Sequence, residues 1–82
     1  MTISIEDVRR LLGAGEDSLL VLIEGRVDVV SGDQLASDAY RGALEVISRR
    51  DLLERTGGAQ LSDAELSAEA AALDTEVTEL GG

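Results

Sequence analysis

Cysteine, histidine and lysine are all missing from this 82-residue chain, and Tyr40 is its single aromatic residue. Without cysteine there can be no disulfide framework, thiolate zinc site or cysteine nucleophile. Without histidine and lysine the chain also lacks the usual general base, the imidazole metal ligand, the Schiff-base amine and the phosphate-loop lysine. Only carboxylates, Arg, Ser, Thr and one Tyr remain for chemistry, which predicts a protein without catalytic activity or cofactor. A core built almost entirely of Leu, Val and Ile gains less area per residue than one containing rings, so a partner or a second copy of the chain would help it. The longest fully apolar run, Leu19 to Ile23, falls far short of the roughly 20 residues that span a bilayer, so no membrane insertion is expected. Met1 to Ile5, followed by Glu6 and Asp7, carries neither a basic nor a long hydrophobic region of the secretory kind, and the expected compartment is the cytoplasm.

The formal net charge is −10, and all seven basic residues are Arg. Arg in place of Lys points to a GC-rich bacterial genome. The excess of acid speaks against nucleic acid, whose phosphates such a surface repels, and favours a neutral or basic protein partner. The length suits one small domain.

Three serines, each followed three residues later by an acid, mark helix starts: Ser4 with Asp7, Ser48 with Asp51 and Ser62 with Glu65. After the first, Ile5, Val8, Leu11 and Leu12 recur at helical spacing, and Gly13 and Gly15 end a helix over residues 5–12. Ser18 to Val30 reads as a hairpin, with Leu19 to Ile23 as one strand, Glu24-Gly25 as the turn, and Val27 and Val29 alternating with Arg26 and Asp28 in the other. Ser31 to Asp38 is polar and predicts a loop. Residues 39–48 fit either a helix, by the face of Tyr40, Leu44 and Ile47, or a strand. A single helix over 39–56 would put Leu52 and Leu53 opposite that face, so the spacing favours a strand over 42–47 and a helix over 49–56. Gly57 to Gln60 is a linker, and a final helix runs from Ser62 to about Leu80.

The expected fold is therefore α+β: a short N-terminal helix, an antiparallel sheet of two or three strands, and two C-terminal helices. Residues 1–58 form a compact core, and residues 59–82 an acidic amphipathic helix packed on it. On that helix Leu66, Leu73 and Leu80 repeat every seven residues, with Ala70 and Val77 between them. Residues 1–58 hold seven Arg against eleven acids, whereas residues 59–82 hold six acids and no base. Glu69, Asp74 and Glu76 flank the stripe, so like charges oppose a parallel self-pairing through it. The stripe either lies across the hairpin, with its acids solvated or near Arg9, Arg10, Arg49, Arg50 or Arg55, or docks into a partner's groove; a third reading leaves it disordered in the free protein.

Among candidate sites, Ser48, Arg49 and Arg50 place two cations in the first turn of a helix, where the dipole favours an anion. The same pair has Glu45, Asp51 and Glu54 close by for ordinary surface ion pairing. Tyr40 is expected to pack its ring on the core edge with its hydroxyl reaching water or backbone, or else to be an interface anchor. The acids Glu6, Asp7, Glu16, Asp17, Asp28, Asp33 and Asp38 have no metal-ligand spacing and read as solvated surface. Gly13-Ala14-Gly15 follows a helix rather than a strand and is a loop, not a phosphate cradle.

The chain ends in Gly81-Gly82, which resembles the diglycine end of ubiquitin-like tags and sulfur carriers. The resemblance implies activation of the C-terminus by a cognate enzyme. The β-grasp fold of those proteins begins with a hairpin and approaches its tail from a strand, whereas this chain opens with a helix and places a helix before the glycines. By elimination, the sequence predicts a small non-catalytic binding or accessory protein acting through the acidic last helix or the sheet edge. A structural homodimer is the alternative, and a diglycine carrier a further one.

Overall fold

Ser4 starts the first helix as the sequence predicts: its hydroxyl accepts from the Asp7 amide while the Asp7 carboxylate accepts from the Ser4 amide. In the computed structural model, which describes residues 2–58 and 60–79, this helix, α1, spans Ile5–Leu12 and turns Val8, Leu11 and Leu12 into the core. The hairpin follows, β1 over Ser18–Ile23 and β2 over Arg26–Ser31, in an unbroken antiparallel register. Glu24 and Gly25 both take positive φ, 51° and 78°, the conformation whose twist matches a two-residue hairpin.

The chain then departs from expectation. Residues 31–38 are not a plain loop: a one-turn helix, α2, covers Gly32–Leu35 and a 3-10 turn covers Asp38–Tyr40. The reason is a further capping box, in which Ser31 Oγ accepts from the Gln34 amide and the Gln34 side chain accepts from the Ser31 amide. Glutamine serves that box as well as an acid does. The third strand, β3, runs over Leu44–Ser48, two residues later than the expected start, and pairs antiparallel with β1 rather than with β2. The sheet order is β2-β1-β3. Strands β2 and β3 therefore run parallel on either side of β1, and residues 32–43 cross over it.

A bulge at the step from Leu20 to Val21 leaves Val46 without a partner between Glu45 and Ile47. It turns both Val46 and Ile47 toward the helical layer and shifts the alternation that the sequence suggested.

Helix α3, Arg49–Thr56, is capped by Ser48 and ended by Gly57 at φ 81°, a left-handed stop that favours glycine. Helix α4, Asp63–Glu79, completes the layer; at its start Ser62 and Glu65 form the reciprocal capping box. Helices α1, α3 and α4 cover one face of the sheet. Ile3, Leu11, Leu20, Ile47, Leu52 and Leu73 meet there in one aliphatic cluster. The result is a single α+β domain with a three-stranded antiparallel sheet, the architecture the sequence predicts. No described helix is long and apolar enough to cross a membrane.

Candidate functional site

Helix α4 has two unlike sides. Leu66, Ala70, Leu73 and Val77 are buried in the shared cluster, so the heptad stripe lies inside the chain's own core and is not free for a partner's groove. Leu80, its last expected member, lies outside the described residues, as do Gly81 and Gly82. The inward turn has a simple cause. α4 is the element that closes the aliphatic layer over Leu11, Leu20 and Leu52, and burying a leucine stabilises the fold by about 2 kcal/mol.

The acids of α4 divide between structural and free roles. Asp74 Oδ1 accepts from the amides of Thr2 and Ile3 at 2.7 and 3.0 Å, tying the start of the chain to its last helix. The Ile3 amide, with that of Thr2, holds the Asp74 carboxyl below the usual range. Glu65 is lowered likewise by the Ser62 amide and hydroxyl. Glu69 and Glu76 bracket Arg55 of α3, at 3.1 and 3.4 Å. Glu69 Oε1 meets Arg55 Nε out of line for a hydrogen bond, so that contact is purely ionic. Asp63 pairs with Arg9 at 3.5 Å with nearly full exposure of its own side chain. What remains to solvent is a face of the small residues Ala64, Ser67, Ala68, Ala71, Thr75 and Thr78, edged by Glu65, Glu76 and Glu79 on one side and by Asp63 on the other. Short side chains let a second surface approach the helix closely, and exposed carboxylates accept charge-assisted hydrogen bonds from Arg or Lys.

The two cations of the candidate anion site have other engagements. Arg49 Nε donates to the Leu12 carbonyl at 3.1 Å, which joins α3 to the end of α1, and Arg50 lies 3.8 Å from Glu54. Ser48 Oγ is occupied by the Asp51 amide. The open cleft beside them, about 440 Å³, is lined by Glu16, Arg49, Arg50, Leu53 and Glu54, so two carboxylates share it with the two cations. This arrangement compensates charge within the chain.

Tyr40 is half-buried, and its hydroxyl lies 3.3 Å from Asp28 Oδ2. The expected partner was water or backbone; the carboxylate of the neighbouring strand takes its place. That Asp28 points to the sheet face away from α4 follows from the alternation of Val27 and Val29, which pack on the helical cluster. Tyr40 and the α4 stripe, both expected as partner contacts, thus lie on opposite sides of the sheet.

Among the described residues no group of three or more Asp and Glu is placed to hold a metal ion. Leu44, at the start of the edge strand β3, is the described large apolar side chain left open to solvent, at 37% exposure. No protein-family model matches the chain, and neither the curated proteins nor the solved structures contain a match to it. Acids of α4 lie near Arg9 and Arg55, two of the cations the sequence offered, whereas sequence reasoning missed the tie of Asp74. The amides of Thr2 and Ile3 are more than 70 residues from Asp74 and leave no local signal. Glu69 and Glu76, seven residues apart on one helix, were recognisable as a same-side pair awaiting a cation.

Proposed function

We propose that this chain is a small non-catalytic binding or accessory protein whose outer α4 face takes a neutral or basic protein partner. The observation that carries the reading is the division of labour on α4: an apolar side that belongs to the core, and an outer side in a stretch of six acids without a single base. A helix already fixed by its own core loses little further freedom on binding, which favours affinity. A surface of one charge sign also speeds encounter with a basic partner.

Truncating the chain at Gly58 would remove Leu66, Ala70, Leu73 and Val77 from the core and so would not isolate recognition. The informative variant is Asp63→Asn, Glu65→Gln, Glu79→Gln, which keeps a Gln in the capping box and removes three charges. Affinity capture from the native host, read by mass spectrometry, should recover a stoichiometric basic protein with the wild-type chain and lose it with the variant. Equal recovery with both would remove the acidic face from the reading.

A structural homodimer through the β3 edge is the second reading, favoured by the exposed Leu44 and by the open outer side of β3. It predicts a melting temperature that rises with protein concentration; a midpoint independent of concentration would count against it.

A further inference from the structure

The face of the sheet opposite the helices is also apolar. Along β1, Leu20 and Leu22 point to the helical cluster, so Val21 and Ile23 point away from it, and in β2 Val30 does the same beside Leu19. Val21 is 0% exposed, and Ile23 and Val30 are 6% and 2% exposed, although none of them belongs to the helical cluster. Residues 32–43 cross on this side, placed there by the Tyr40 hydroxyl on Asp28.

This crossover is an unusual cover. None of its residues is buried; Leu35, Tyr40 and Ala43 are half-buried and the rest are exposed. Its backbone hydrogen bonds are all local: Ala36 to Gly32, Ser37 to Gln34, Tyr40 to Ser37, Arg41 to Asp38 and Ala43 to Tyr40. Among the described residues, no backbone–backbone hydrogen bond joins residues 33–43 to a strand of the sheet; at the hinge, the Ser31–Gln34 capping box ties the start of the crossover to the last residue of β2. The side-chain hydrogen bond that reaches the sheet face is Tyr40 to Asp28, at 3.3 Å. The two ends, by contrast, are fixed in β2 and β3, about 10 Å apart across β1.

We propose that residues 32–43 are a displaceable strap that opens as a unit while the helical layer stays folded, uncovering the aliphatic patch of Val21, Ile23 and Val30. Local opening of this kind is expected where apolar burial is slight and backbone bonds are exposed and short-range. Lifting the strap breaks no sheet hydrogen bond and removes nothing from the helical cluster. It leaves the α4 face untouched, so the gated patch is a second surface, independent of the acidic one.

Native-state hydrogen exchange on the full chain, read by mass spectrometry or NMR, tests the strap. Amides of residues 36–43 should exchange by a low-energy, nearly denaturant-independent opening, while the β1 amides exchange only with global unfolding. Tyr40→Phe should speed strap exchange by about two- to tenfold, the range of one net hydrogen bond. Gly32→Ala has open space for its Cβ and should slow strap exchange by about two- to fivefold, through the helical preference of alanine. In both variants the β1 and α4 amides should change far less than the strap. Strap and β1 amides sharing one opening energy in the wild-type chain would overturn the proposal. Equal shifts of strap, β1 and α4 amides in the two variants would do the same.

Discussion

The two faces of the three-stranded sheet carry similar aliphatic side chains and are covered in opposite ways. On one, Leu20 and Ile47 meet three helices whose own Leu, Ile and Val are buried with them. On the other, Val21 and Val30 are just as inaccessible beneath a crossover that contributes no buried residue. A side chain can thus be equally sealed from water by a layer that shares its core or by one that merely lies over it. The first cover is removed only by unfolding, because its residues depend on one another. The second is held over the face by one side-chain hydrogen bond and a few partial contacts, and at its start by the Ser31–Gln34 box.

Adjacent residues of β1 sharpen the contrast. Leu20→Ala opens a cavity among helices and strands and should lower stability by about 2 to 5 kcal/mol, measured by equilibrium urea unfolding. Val21→Ala removes less surface from beneath a cover that can settle inward, and about 1 to 2 kcal/mol is expected. Equal losses at the two positions would mean that the crossover is packed as firmly as the helices.

Arg55→Ala leaves Glu69 and Glu76 of α4 without the cation between them, and should lower stability by about 1 to 2 kcal/mol. Tyr40→Phe should alter global stability by about 1 kcal/mol or less, with its larger effect confined to the strap.

Acidification probes two ties of helix α4. Asp74 and Glu65 both titrate below their ordinary values in the folded chain, because the Ile3 amide and the Ser62 amide hydrogen-bond their charged forms. The folded state then binds fewer protons than the unfolded state in that range. The contribution is complete above the ordinary carboxyl values, at about pH 4 to 4.5, and is lost as pH falls through the lower folded values. Urea midpoints should therefore fall on acidification through that window, and Asp74→Asn should flatten the slope.

Much of the fold was legible because its signals are local. The hairpin follows from an aliphatic run beside a turn that accepts positive φ, and the helix starts from serines whose third neighbours complete the cap. The one-turn helix after β2 was missed because its box uses Gln34 in place of an acid. The bulge opposite Leu20 was missed because alternation in a five-residue strand cannot reveal an extra residue set by its neighbour. The candidate site was legible in composition but not in orientation. The stripe of Leu66, Ala70, Leu73 and Val77 reads the same whether it meets its own core or another protein, and only the shape of the remaining core decides. Arg49 was placed correctly in the first turn of α3, yet its tie to the Leu12 carbonyl joins residues 37 apart in the chain.

The functional reading rests on the separation of the two sides of α4, the inward side for folding and the outward side for recognition. The most direct test is equilibrium urea unfolding of the Asp63→Asn, Glu65→Gln, Glu79→Gln chain beside Leu73→Ala. If the sides are separable, the charge variant stays within about 0.5 kcal/mol of wild type while Leu73→Ala loses about 2 to 5 kcal/mol. A charge variant that unfolds as readily as Leu73→Ala would show that the acids hold the fold together, and would contradict a face kept free for a partner.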